Sequence, residues 1–297
     1  MNRGVLYGVS AYLMWGFFPI YFKALQVVPS LEIMLHRVVW SFIFVASLIM
    51  LRREWPKLRE SLRNPRLLLV YILSALLLAT NWLVYIYGIN SGQIVETSLG
   101  YFINPLVSVA LGVIILRERL RPLQWAAIGI AALAVIYLTV QVGSPPWIAL
   151  ALAFSFGLYG LIKKIAPLGA LQGLSLETGL LFIPAALYLL FLDFQGAGAF
   201  GQVSLSVTIL LALAGIITAT PLLLFARAAR AISLTLLGIL QYIAPTVQFL
   251  LGVFLYNEPF TLTRLVGFSI IWIALLIFTF EGLNERRKRI TSVVTPT

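Results

Sequence analysis

The sequence predicts an all-α membrane protein of ten transmembrane helices, built as two inverted five-helix repeats with both termini cytoplasmic. Three observations predict it. Hydrophobic residues fill 61% of the 297 positions against 10% charged, with a mean hydropathy of +1.00. A water-soluble domain carries about 25% charge, so most of this surface faces lipid, and no polar stretch is long enough for a sizeable soluble domain. The apolar residues fall in runs of roughly 17–25, the length a helix needs to cross a hydrocarbon core of about 30 Å. Finally, the second half of the chain repeats the first.

The runs lie at about 4–22, 31–51, 67–89, 94–116, 123–141, 146–162, 172–192, 205–225, 233–256 and 262–281. The first is preceded by Arg3 and followed by no small-residue cleavage site, and reads as a retained span rather than a signal peptide. Connections such as Asn90 to Gln93 and Gly143 to Pro146 are short enough to force antiparallel neighbours.

A net charge of +11 raises the question of nucleic acid. That would require the basic residues to gather on one folded face, whereas here they sit in short runs between apolar segments. With the N-terminus inside, the inner connections hold 18 of the 21 Lys and Arg: Arg3, the cluster from Arg52 to Arg66, Arg117, Arg119, Arg121, Lys163, Lys164, Arg227, Arg230 and Arg286 to Arg289. Only Lys23 and Arg264 fall outside, and Arg37 lies within a span. This is the positive-inside pattern, and no nucleic-acid partner is expected.

The repeat emerges at an offset of 140, where Pro105 meets Pro245 and "LGYFINPLVSVALGVIILRERL" lies on "LGILQYIAPTVQFLLGVFLYNEPF". The same register pairs Ala79-Thr80 with Ala219-Thr220, Gly112-Val113 with Gly252-Val253, and Glu118 with Glu258. Earlier, at 141, Trp15-Gly16 meets Phe156-Gly157 and Lys23 meets Lys164. The units are 1–142 and 143–297, the second ending in a basic cytoplasmic tail. Five spans is an odd number, so the second copy enters upside down. The charges agree: Arg117, Arg119 and Arg121 are inside while Asn257, Pro259 and Thr261 are outside. Inverted repeats characterise secondary transporters, in which two packings of the halves give alternating access to one midplane site.

Polar groups inside spans are the candidate site, because a charge there costs at least about 2.5–3.5 kcal/mol on insertion scales. Arg37 lies about 9 Å below the outer end of the second span at 1.5 Å per residue, with Glu96, or else Glu32, as a partner. Glu177 enters the seventh span from the inner side, within reach of Lys163, Lys164, Arg227 or Arg230. Two readings fit: ion pairs that fix helix register, or a charged solute path with Glu96 or Glu177 as a proton carrier. Glu118 and Glu258, at span ends, read as capping residues. His36 reads as a hydrogen-bonded helix residue rather than a proton relay. Pro105 and Pro245 each remove a backbone hydrogen bond and free the carbonyls of Tyr101 and Gln241, which builds either a bent midplane site or a packing kink. Asn81, Tyr85, Asn104, Tyr242 and Gln248 add hydrogen-bonding groups nearby. Trp55, Trp125, Tyr137 and Trp147 read as interface anchors. Trp15, Trp40, Trp82, Tyr85 and Tyr101 lie deeper, as cavity wall or as ordinary packing.

With these residues in view, the chain resembles the EamA-type branch of the drug/metabolite transporter superfamily. Within it, "SLEIMLHRVVWS", "ATNWLVYIYGINSGQIVETSLGYFINPL" and "TATPLLLFARAARAISLTLLGILQYIAPT" resemble the RarD-like permeases. The resemblance implies a ten-helix bundle in a bacterial inner membrane with a central cavity between inverted halves. It implies no particular substrate and supplies no list of binding residues.

The leading expectation is a secondary carrier that exports a small metabolite or drug. No phosphate-binding loop is present for ATP to drive it directly, which leaves a proton gradient or facilitated exchange. No cofactor or metal is expected. A membrane-embedded enzyme finds little support: Asp193 is the only aspartate, His36 the only histidine, and there is no cysteine. A receptor, scaffold or lipid scramblase is the alternative.

Overall fold

In lipid, every backbone N–H and C=O must be satisfied within the protein, which leaves helices as the natural form for long apolar runs. The computed structural model describes residues 3–90, 94–142, 147–256 and 262–294, and among these every regular element is a helix. In chain order they are α1 (Arg3–Gly16), α2 (Phe18–Ala24), α3 (Ser30–Leu51), α4 (Trp55–Leu62), α5 (Pro65–Asn90), α6 (Ile94–Ile114) and α7 (Pro122–Val142). After these come α8 (Trp147–Ile165), α9 (Ala170–Phe194), α10 (Leu205–Ala231), α11 (Leu234–Gln241), α12 (Ile243–Phe254) and α13 (Leu262–Val294).

Among the described residues, eight stretches are long and apolar enough to cross a membrane: Arg3–Ala24, Ser30–Leu51, Pro65–Tyr85, Pro122–Val140, Trp147–Ile165, Ala170–Phe194, Leu205–Ala231 and Leu265–Gly282. Two shorter apolar helices, Leu99–Ile114 and Leu234–Gln248, lie where the sequence places the fourth and ninth spans. The protein is therefore a multi-pass, all-α membrane protein. Its periphery agrees, since side chains such as Val140, Ile183 and Phe254 are 70%, 64% and 79% exposed.

Local chemistry sets the helix limits. Asn64 accepts from the backbone N–H of Arg66 and Leu67 just ahead of α5, with Pro65 at the first position. Ser204 and Ser233 do the same for α10 and α11. Pro19 sits in the first turn of α2, after the break at Phe17. Pro105 is accommodated inside α6, whereas α11 stops at Gln241 and α12 resumes at Ile243. That interruption falls where Pro245 has no N–H to return to Gln241.

The basic residues at one end of the bundle tie helix termini together. Lys164 Nζ donates to the carbonyls of Ala229 and Ile232 at the end of α10, and Arg230 Nη1 donates to Ala166 and Leu168 at the end of α8. Cations thus meet the negative ends of two helices. Glu118, expected to cap, accepts from the N–H groups of Leu234 and Thr235 at 2.6 and 2.9 Å, at the start of α11. Its counterpart Glu258 lies outside the described residues. At the opposite end, the segment 195–204 folds back over α3, and Glu32 accepts from Ala199 N at 2.6 Å.

Packing between the chain halves follows a pattern. α1 packs on α10 and α8 packs on α5; α6 lies on α8, and α1 on α11 and α12. α3 packs on α9, α6 on α11, and α7 on α13. Individual contacts follow the repeat register. A Cβ on Gly16 would come within 2.7 Å of Val247, and one on Gly157 within 2.7 Å of Val107. Trp15 meets Phe156 at 5.6 Å between ring centroids, and Tyr242 donates to the carbonyl of Phe102, 140 positions earlier.

Candidate functional site

Where α1, α2, α3, α5, α6, α8, α10, α11 and α12 surround the bundle axis they leave a cavity of about 480 Å³. Its lining begins at Gln26, Val28 and Ser30, near the turn between α2 and α3, and runs down to Tyr12, Phe156, Leu222 and Gln241. Below that level, towards the basic end, the interior is closed. Phe225 is packed by Tyr12, Trp15, Phe156 and Tyr159, with ring centroids 5.2–6.2 Å apart. Tyr12 and Tyr159 are wholly buried.

Arg37 is the one cation on the described wall, and no carboxylate accompanies it there. Its side chain is 8% exposed. Nε donates to Thr218 Oγ1 at 3.0 Å, which tethers α3 to α10. The guanidinium lies 4.7 Å from the Trp82 ring, 5.4 Å from Phe22 and 5.9 Å from Phe18. Tyr85 and Tyr101 line the same cavity. Tyr85 and Tyr101 meet edge to face at 5.9 Å. Aromatic faces accommodate a cation without neutralising it.

The other polar groups hold the floor and walls. Asn81 Nδ2 donates to Leu152 O and Ser155 Oγ, joining α5 to α8. Asn104 accepts from Ser108 one turn later, and Gln248 Nε2 donates to Trp15 O. Gln241 lies at the end of α11, 5% exposed. Seven residues expected at a binding site thus border one cavity: Trp15, Arg37, Asn81, Tyr85, Tyr101, Asn104 and Gln241.

The remaining expected residues are placed differently. Glu177 is wholly buried away from the cavity, 2.6 Å from Lys163 Nζ, and it accepts from Ser74 at 2.6 Å and Tyr159 at 3.3 Å. It therefore sits in an ion pair at the closed end. Tyr242 turns its hydroxyl to Phe102 instead of the cavity. Pro105 and Pro245 shape α6 and the α11–α12 break without lining the void. The side chain of Glu96 lies outside the described residues. Glu32, the other expected partner of Arg37, is committed to Ala199 N and approaches His36 at 3.8 Å. His36 departs from expectation: its ring stacks on Phe200 at 5.1 Å, and among the described residues neither nitrogen has a hydrogen-bond partner. Trp40 backs onto Gly215 and Phe200 and takes no part in the wall.

Sequence reasoning missed Phe18, Phe22 and Thr218. The available signal was the repeat, which sets Phe18 and Phe22 against Tyr159 and Lys163 at the 141 offset.

An all-α, multi-pass membrane bundle with a solute-sized internal cavity closed at one end is the class of protein these features define. The EamA-like transporter family model matches residues 2–140. Protein RarD of Streptomyces exfoliatus is 46% identical over 287 residues, covering 97% of this chain and 91% of that protein. YojE of Bacillus subtilis, described as an uncharacterized transporter, is 47% identical over 291 residues, covering 96% of each. A solved crystal structure at 20% identity superposes with a TM-score of 0.71 over 94% of this chain and 98% of the other, a likeness of fold. The chain belongs to the RarD-like permeases of the EamA-type branch of the drug/metabolite transporter superfamily.

Proposed function

We propose that the protein is a secondary transporter of the bacterial inner membrane that exports a small metabolite or drug through the central cavity by alternating access. In this reading the chain crosses the membrane ten times as two inverted five-helix repeats, 1–142 and 143–297, with both termini cytoplasmic. The short helices α6 and α11–α12 count as the fourth and ninth crossings. One observation carries the reading: a solute-sized cavity is open towards one end and closed by a buried aromatic layer at the other.

Contacts between repeat-related positions support the inversion. Trp15 against Phe156 and Tyr242 against Phe102 join residues to their own counterparts, as happens only near a two-fold axis. Gly16 with Val247 and Gly157 with Val107 are the same contact made twice. The clustering of Lys and Arg at the closed end supports its cytoplasmic placement. The proposed solute contacts are Trp15, Arg37, Asn81, Tyr85, Tyr101, Asn104 and Gln241.

The test is flux into proteoliposomes holding the purified protein, measured across a panel of labelled solutes and without ATP. Saturable, protein-dependent movement of one of them is expected. Movement of lipid between leaflets with no solute flux would favour a scramblase and sink the carrier reading.

A further inference from the structure

We infer that the cavity selects an organic monoanion with a flat apolar body, its oxyanion held by Arg37 and its body between the aromatic walls; this rests on the carrier reading of the same cavity. Three observations carry it. First, Arg37 is 8% exposed and lines the cavity. A guanidinium has five N–H donors, and among the described residues only Nε has a protein acceptor, Thr218 Oγ1. The Nη groups remain as donors towards a cavity whose walls are mostly aromatic and apolar. A charge left in such a place is costly, and an anion that pairs with both Nη groups removes the cost.

Second, two of the carboxylates that the sequence offers to the spans are engaged elsewhere: Glu32 with Ala199 N and Glu177 with Lys163. Among its described residues the wall carries a single positive charge and no negative one. A primary amine would meet repulsion there, whereas an oxyanion also finds the phenols of Tyr85 and Tyr101 in the same cavity. Third, the space adjoining Arg37 is aromatic. Phe18, Phe22 and Trp82 flank the guanidinium and Trp15 and Phe156 close the floor. Such faces favour a planar apolar body by burial and by offset or edge contacts.

The experiment uses the purified full chain and three probes of one shape and different charge: indole-3-acetate, indole-3-acetamide and tryptamine. Dissociation constants come from calorimetry and are checked by thermal shift. The anion is expected to bind about tenfold to a hundredfold more tightly than the amide, the scale of one charge-assisted hydrogen-bonded pair, with tryptamine weaker still. Arg37→Gln should erase the difference between anion and amide, and Arg37→Lys should retain part of it. Where Arg37→Gln fails to fold, the ranking of the three probes on the parent protein decides alone. Amide or amine binding as tightly as the anion, an anion preference unchanged in Arg37→Gln, or no binding of any probe at millimolar concentration would each overturn the inference. Flux separates the two claims. Anion binding without flux keeps the site and defeats the carrier reading; flux that favours the amine keeps the carrier and defeats the anion site.

Discussion

The pair formed by Lys163 and Glu177 gives the sharpest stability test. Both side chains are buried, 4% and 0% exposed, with Nζ 2.6 Å from the carboxylate. At an effective dielectric of about 20, charges at that separation attract by about 6 kcal/mol, much of which offsets their own desolvation. Ser74 and Tyr159 add two hydrogen bonds to the carboxylate. Removing one partner leaves the other charge without compensation. Lys163→Met is therefore expected to destabilise the fold by about 3–5 kcal/mol, and Glu177→Leu by a similar amount. Removing both charges should cost less than the two single changes combined, because no unpaired charge is then left buried, although Ser74 and Tyr159 each lose an acceptor at about 1–3 kcal/mol. Reversible unfolding in bicelles by SDS titration, arranged as a double-mutant cycle, measures all four proteins. Single variants within about 1 kcal/mol of the parent, or a double variant as unstable as the two singles combined, would refute the reasoning.

Other outcomes follow from the same geometry. Gly215→Ala places a Cβ 2.3 Å from the backbone of Trp40, so α10 must separate from α3; a loss of about 1–3 kcal/mol should register as a lower melting temperature. Glu118→Ala removes the acceptor for Leu234 N and Thr235 N and should cost about 0.5–2 kcal/mol, read by the same melt. The chain has no cysteine, so a single introduced one is unique. Met34→Cys, on the cavity wall, should react with a membrane-impermeant maleimide added outside whole cells, and Arg59→Cys, exposed on α4 at the basic end, should not. The reverse pattern would invert the proposed orientation.

The sequence made the helical architecture legible because lipid leaves so few alternatives: apolar length alone locates α3, α5 and α8 to within a few residues. Candidate residues could be read when their cost in lipid was obvious, as for Arg37, or when a repeat singled them out, as for Tyr101 and Gln241. What could not be read is what depends on a distant segment arriving. His36 stacks on Phe200 and Glu32 binds Ala199 because residues 195–204 fold over α3, and nothing periodic in that stretch announces it. Glu177 had four basic residues within plausible reach, and only the rotation of α8 against α9 selects Lys163. The place of Phe18 and Phe22 at the cavity depends on the break at Phe17, which turns α2 relative to α1.

The contacts around Phe225 bear on how such a protein can work. At the offsets of 140 and 141, Phe225 and Tyr159 correspond to Tyr85 and Phe18, which both border the cavity instead of closing it. The stacked pair at the blocked end therefore has a dormant twin at the other. Were the halves to trade postures, a comparable stack would form there as this one parted, so opening one gate would be offset by shutting its mirror image. On the proposed alternating-access reading, such a machine would rest close to balance, and a modest solute gradient would suffice to set its direction.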